Sequence, residues 1–352
     1  MIDYAIIYQM KVQFLGTASG KPSKYRNVTS IAVILEDANY ILIDCGEATQ
    51  HQIIKSDLKF SKIIGIYITH LHGDHIFGLH GLLCSLNEIR TEPLEIHGPI
   101  GLSNYVSFVQ KNITNYSLII NEYDYELTTS TANTIPLFNY NYRIDYCEVD
   151  HVNDRSIKCF AYKITQIRNN NNLKIDMARL SPVLETHRTL IENKGYVPAE
   201  KIIRTLKEKN EAIYITEGVC INPTDYIIGE SDKNLIVALD NYNSAKMVET
   251  FNSCDTLIHE CTYSCFTEMT NEEKMRITKL AKSHGHSTNT MAIHVASKLK
   301  CSNLILTHFS NRYEETDEQY EKIIDGCLSY LNEKDNPPPN IYCASDFSTY
   351  TI

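Results

Sequence analysis

Between His70 and His75 the chain places four groups able to bind a metal, His70, His72, Asp74 and His75, directly behind an apolar run from Ile63 to Ile68. No other segment limits the possible fold as strongly. Three imidazoles and a carboxylate this close compete for protons and repel when charged unless a cation sits among them. The donor set suits zinc or a similar divalent ion. If the strand simply continued, alternation would send His70, His72 and Asp74 to one face and His75 to the other. A tight turn at Gly73 brings all four inward, so the segment reads as a loop that closes a strand.

The same pattern recurs along the chain. Tyr142–Val149 leads to Asp150 and His151, Leu235–Leu239 to Asp240, Thr256–Ile258 to His259 and Glu260, and Leu304–Thr307 to His308. Strands that deliver polar groups from their ends build a site along one edge of a sheet. Helical patterns lie between them, at Phe77–Ile89 and Thr290–Leu299, and this alternation predicts an α/β protein. After a short loop at Asp335–Pro339, a closing strand is expected over Ile341–Phe347. Residues 165–232 break the rhythm. The Asn169–Asn172 run is loop-like, and a charged, mostly helical stretch follows through Lys209. This insert reads as an arm projecting from the domain, not as a second core.

At 352 residues the chain has ample length for a sizeable core, and 22% charged against 43% hydrophobic residues is ordinary for a soluble protein. No apolar run approaches the roughly 18 residues needed to cross a membrane. The N-terminus lacks the pattern of a secretory signal, which makes the cytoplasm the default location. Eleven cysteines without paired CxxC spacing read as free thiols, Cys261 and Cys265 among them. A net charge of −10 argues against a surface coated for nucleic acid. It leaves room for a local basic element, and residues 168–209 hold nine Lys or Arg against five Asp or Glu.

Several blocks together carry a family resemblance. Phe14–Gly20 with Pro22–Ser30, Asp44–Gln50, the His70–His75 loop, His259–Thr262, His286–Thr288 and Leu306–Tyr313 follow one another in the order of the transfer-RNA 3′-end endonucleases, the ribonuclease Z family. The His loop alone resembles the whole metallo-β-lactamase superfamily; Pro22–Asn27 and Asp44–Gln50 narrow it to the RNA-processing branch. The similarity runs from about Met10 to Phe347, so residues 1–9 stand apart as an extension of a nuclease domain at 10–352, with an RNA-binding arm inserted at about 165–232. The chain departs from the pattern twice. The arm tip reads Val197-Pro198-Ala199-Glu200 where short family members carry Gly-Pro, and the bridging aspartate stands in Leu239-Asp240-Asn241 in place of Gly-Asp-Thr.

The resemblance implies a four-layer αββα sandwich and two zinc ions per subunit, with manganese as the alternative. One ion would take His70, His72 and His151, the other Asp74, His75 and His308, with Asp240 bridging. Asp74 would also be the general base, with His259 and His286 beside the leaving oxygen and Lys24, Arg26 and Arg312 on phosphates. The implied activity is hydrolysis of precursor tRNA on the 3′ side of the discriminator base, by a homodimer in which one subunit's arm helps hold RNA for the other. A general metal-dependent phosphodiesterase acting on small esters or cyclic nucleotides is the alternative. Taken singly, His151 and His308 read as satisfied strand-end histidines, Asp240 as a turn residue and Lys24 and Arg26 as solvated charges.

Overall fold

The computed structural model describes residues 9–35, 38–123, 133–137, 141–152, 157–167, 174–195, 199–206, 212–216, 219–228, 232–331 and 338–352. The Asn169–Asn172 run, Val197 and Pro198 at the arm tip, most of the Asp335–Pro339 loop and residues 1–8 of the extension lie outside them.

The apolar runs become strands of two seven-stranded sheets. The first runs, in spatial order, Thr349–Thr351, Lys11–Gly16, Ser30–Ile34, Tyr40–Ile43, Ile63–Tyr67, Leu94–Pro99 and Leu118–Tyr123. The second runs Asn340–Cys343, Asn303–Thr307, Thr256–Glu260, Lys233–Ala238, Cys159–Gln166, Tyr142–Val149 and Asn133–Leu137. Each sheet contains a parallel block whose strands return through helices.

Both faces of these strands are buried, which is why they read as unbroken apolar runs. On one face Leu15, Ala32, Leu42, Ile66 and Ile96 pack with Leu79, Leu82, Leu83 and Val106 from the helices Leu79–Leu86 and Leu102–Asn112. In the second sheet Ile236, Leu257 and Leu304 pack with Met247, Ile293 and Ile323 from Ala245–Phe251, Asn289–Lys298 and Asp317–Leu328. The remaining faces meet each other. Tyr67 lies edge-on to Tyr162, the Tyr162 hydroxyl donates to the Ile68 carbonyl, and the Phe160 amide donates to Thr69. The result is the four-layer αββα sandwich of the metallo-β-lactamase fold. Among the described residues no helix is long and apolar enough to cross a membrane. All eleven cysteines are free thiols, and Cys261 and Cys265 are buried.

The described residues up to Pro136, from Arg143 to Thr165 and from Asn234 onwards form one compact unit; those in Leu137–Tyr142 and Gln166–Lys233 form a second. The second unit differs from the sequence expectation, because it has a core of its own. Leu180, Ile191, Ile202, Leu206, Ile213, Ile215 and Ile221 cluster there. All but Leu206 come from the helices Met177–Thr186, Arg188–Asn193 and Ala199–Arg204 and from a hairpin, Ile213–Thr216 with Val219–Ile221. Apolar residues on one face of short helices were hidden in a sequence dominated by the charges of the other.

Two boundaries also moved. The helix expected at Phe77–Ile89 spans Leu79–Leu86, and a separate short helix, Gly73–Ile76, precedes it and begins inside the His loop. They part at Gly78, where a Cβ would meet the Gly46 carbonyl at 1.9 Å. The closing strand splits as well: Asn340–Cys343 joins the second sheet, and Thr349–Thr351 joins the first beside Lys11–Gln13. Between them Asp346 accepts from the Thr17 hydroxyl at 2.8 Å, the Asn27 amide at 2.7 Å and Gln52 Nε2 at 3.1 Å.

Burial raises the Asp346 carboxyl to about 6 in spite of these donors. A folded value above the unfolded one means the native state holds this proton more tightly. The stability it contributes is full below about pH 4 and is lost as pH rises through 6, a change of roughly 3 kcal/mol. In urea denaturation from pH 4 to 7.5, the wild type should therefore lose stability relative to Asp346→Asn up to about pH 6.5, then run parallel to it. A constant difference across the range would contradict this.

Candidate metal centre

Strand ends and short turns carry every group of the site. His70 follows the strand Ile63–Tyr67, and Asp74 and His75 occupy the first turn of the helix Gly73–Ile76. His151 follows Tyr142–Val149, Asp240 follows Lys233–Ala238, and His308 follows Asn303–Thr307. His308 takes a left-handed backbone conformation, φ 57°, as does Asp44 at the end of Tyr40–Ile43, φ 60°. Outside glycine such angles are uncommon, and here they occur at two strand ends that aim polar side chains at one place.

The side chains fall into two groups joined by one carboxylate. His70, His72, His151 and Asp240 form the first, Asp74, His75 and His308 the second. Asp240 Oδ2 faces the first group, 3.7 Å from His70 Nε2 and 3.6 Å from His151 Nε2. Its Oδ1 faces the second, 3.3 Å from His75 Nε2 and 3.0 Å from His308 Nε2. Asp74 Oδ2 lies 3.5 Å from His75 Nε2 and 3.4 Å from His308 Nε2. His72 Nδ1 sits 3.1 Å from His151 Nε2, so two ring nitrogens converge.

The outward nitrogens of the buried imidazoles are held. His70 Nδ1 contacts the Thr69 hydroxyl at 3.1 Å, His75 Nδ1 the Asp44 carboxylate at 2.6 Å, His151 Nδ1 the Gly285 carbonyl at 2.7 Å and His308 Nδ1 the Thr262 hydroxyl at 3.0 Å. Fixing the outer nitrogen sets the tautomer and turns the other lone pair inward. The inward atoms His70 Nε2, His75 Nε2, His308 Nε2 and Asp240 Oδ1 are buried and make no hydrogen bond. Unsatisfied buried polar atoms are rare and costly. Three ring nitrogens converging from two sides on one carboxylate, with an oxygen of that carboxylate also unsatisfied, fit bound cations.

Electrostatics agree. Burial drives the His70 imidazole well below its ordinary value, and it lowers His72 too. Burial opposes charge on His308 as well, but Asp240 and Asp74 outweigh it and raise the group to about 10. Asp240, Asp44 and Asp74 likewise raise His75 well above its ordinary value against burial. For Asp240, His308, His75 and His286 overcome burial and hold its carboxyl well below the usual range. The carboxylates thus call for positive charge at this point, and a divalent ion bound there would supply it and accept the unused lone pairs.

The other expected residues divide. His286 reaches the site: its Nδ1 is 3.2 Å from Glu260 Oε2 and 3.8 Å from Asp240 Oδ2. Glu260, wholly buried, also accepts from Thr262 Oγ1 at 2.6 Å and from the Asn241 amide at 2.6 Å. His259 does not join them. It is fully buried, with Nδ1 2.8 Å from the Glu260 carbonyl and Nε2 3.4 Å from Ser244 Oγ. The reason is alternation within the strand Thr256–Glu260, which turns neighbours to opposite faces. Arg26 is the second correction. It is 3% exposed, bonded to Thr17 Oγ1, the Ala344 carbonyl and the Tyr320 hydroxyl, with its guanidinium over the Phe309 ring. A buried cation whose two terminal nitrogens are used this way ties loops together and is not presented to a phosphate. Lys24 is exposed over Tyr25, and Arg312 is exposed with its guanidinium 4.5 Å from the Tyr263 ring. Among residues without an expected role, Asp44 and Thr262 stand out. Asp44 ends an apolar strand like the other site residues, and that signal could have found it.

Comparison with known proteins supplies the context. A curated "Ribonuclease Z" of Listeria monocytogenes is 37% identical over 331 residues, covering 92% of this chain and 95% of the relative. "Ribonuclease BN" of Proteus mirabilis is 32% identical over 350 residues, 97% of this chain and 100% of the relative. The crystal structure of human tRNase Z, short form, superposes with a TM-score of 0.60 at 24% identity, covering 97% of this chain and 99% of that one. A family model described as "Anti-Pycsar protein Apyc1" matches residues 10–165.

Proposed function

The chain belongs to the ribonuclease Z family, and from that premise we propose that it is a zinc-dependent endoribonuclease acting on precursor tRNA. It would hydrolyse the phosphodiester on the 3′ side of the discriminator base, leaving a 3′-hydroxyl on the tRNA and a 5′-phosphate on the trailer. The observation that carries the reading is Asp240, whose two oxygens face two separate ligand groups. His70, His72 and His151 would hold one ion, Asp74, His75 and His308 the other, with Asp240 shared. Bound there, two such ions would supply the acidity for a water nucleophile and positive charge for the phosphate.

The chain's own residues do the rest. Asp74, with its carboxyl lowered by His75 and His308 against burial, is too weak a base to act alone, and it orients the attacking water. His286 keeps its proton more firmly than an ordinary histidine, because Glu260 and Asp240 outweigh the effect of burial. With Nδ1–H donated to Glu260, its Nε2–H is available for the departing 3′ oxygen as the P–O3′ bond breaks. Arg312, steadied by Ser310 Oγ at 2.9 Å and by Tyr263, has N–H groups left for phosphate, and Lys24 adds a mobile positive charge. The basic insert at 168–209 suits the electrostatic grip of RNA, in a homodimer where one subunit's arm serves the other's site. The cytoplasm is the proposed compartment.

End-labelled precursor tRNA with a 3′ trailer, incubated with zinc or manganese, tests the reading. A single cut beside the discriminator base, absent in Asp74→Ala, is expected. Intact RNA together with turnover of bis-p-nitrophenyl phosphate would point to a general phosphodiesterase acting on small esters or cyclic nucleotides.

A further inference from the structure

Among the described residues, Asp74 receives one hydrogen bond from outside its histidine neighbours. The Gly20 amide donates to its Oδ2 at 2.7 Å. Gly20 lies 54 residues earlier, at φ 73° in the loop 17–27. That loop is exposed at its tip, from Gly20 to Tyr25, yet it is fastened at several points. The Thr17 and Ala18 amides both donate to the Asn27 carbonyl, and the Ser23 amide to Arg26. The Ser19 amide donates to the carbonyl of Phe309, and the Phe309 amide to Thr17, so the loop is bound to the residue directly after His308. Asn311 Nδ2 reaches the carbonyls of Lys21 and Pro22 at 2.9 and 3.3 Å. Beneath the loop, buried Arg26 ties Thr17 to Ala344, and Asp346 holds the Asn27 amide.

We propose that the loop 17–27 is a positioning clamp for Asp74, set by the Gly20 amide and held in register by Asn311 and Arg26. The proposal rests on Asp74 serving the site as described above. Asp74 starts a helix of only four residues and is 11% exposed, so little else fixes its side-chain torsion. An amide anchored through Phe309 holds Oδ2 at a constant position relative to His308. Gly20, Asn311 and Arg26 touch neither substrate nor a reacting atom in this scheme, and they act through Asp74. The same fastening explains why Arg26 is buried although its neighbours Lys24 and Tyr25 are exposed.

Two variants test the clamp without disturbing the core. Asn311→Ala removes the two bonds to Lys21 and Pro22 from an exposed side chain. Gly20→Ala strains the positive φ, while its Cβ meets nothing within 4 Å. The substrate is bis-p-nitrophenyl phosphate, too small to engage an RNA-gripping surface. For both variants, kcat should fall roughly tenfold with KM unchanged. The chelator concentration that strips half the bound zinc should drop severalfold, while the melting temperature of the metal-free protein stays at the wild-type value.

An unchanged kcat on the small ester, with KM rising only on precursor tRNA, would overturn the clamp and make the loop an RNA contact. A matching fall in the metal-free melting temperature would overturn it as well, by reducing the loop to a stability element. The rate on the small ester, the chelator titration and the melting temperature use neither RNA nor its cleavage, so failure of the tRNA reading would leave them interpretable.

Discussion

Asp240→Ala is expected to lower turnover of any phosphodiester on the order of a thousandfold, about 4 kcal/mol of barrier, and to reduce the metal that co-purifies with the chain. The size follows from the carboxylate's position. Each oxygen serves a different ligand group, so a single truncation takes a ligand from both. It also removes the largest favourable charge acting on His308, whose raised value depends first on Asp240 once burial is overcome. Five histidines would then surround the site, with Asp74 the one carboxylate left in the ligand set to balance a cation there. Asp240→Asn keeps the shape and one oxygen acceptor but loses the charge, and it should fall between the wild type and Asp240→Ala. Mass spectrometry of bound metal and steady-state rates on both RNA and bis-p-nitrophenyl phosphate decide the matter. A variant that keeps its metal and its rate would sink the two-group scheme.

His286→Ala should separate two substrates that Asp240→Ala treats alike. A 3′ oxygen leaving from RNA needs a proton, and loss of the donor should cost roughly a hundredfold or more in kcat. The p-nitrophenolate ion leaves unaided, so the small ester should lose only a few-fold. Glu260 holds His286 Nδ1 at 3.2 Å and helps raise its pKa, so Glu260→Gln should show the same pattern in weaker form. Equal losses on both substrates would instead make His286 a support for Asp240, from which it lies 3.8 Å.

Much of this was legible because metal chemistry demands particular residues and strands deliver them from their ends. His70, His72, Asp74 and His75 stand out by density alone, whereas His151, Asp240 and His308 follow apolar runs but read singly as satisfied or turn residues, and only their place in the family order marks them. The reading failed where direction mattered more than position. His259 and Glu260 are adjacent, yet only Glu260 reaches the site, because successive side chains of a strand point to opposite faces. Arg26 sits in a polar loop sequence, and nothing local shows that Phe309, Tyr320 and Ala344 close over it from nearly three hundred residues away. The core of the insert was missed for a related reason: its apolar residues come from short helices and a hairpin, each too brief to show a period.

The pairing of Lys11–Gln13 with Thr349–Thr351 has a consequence for how the protein comes into being. Sequence-distant pairing is slow, because the chain entropy is lost before the contacts form. On the ribosome the first sheet stays open at that edge until more than three hundred further residues have been made. His308 arrives nearly as late, long after the His70–His75 loop. A growing chain therefore holds the His70–His75 loop long before His308 completes the second ligand group.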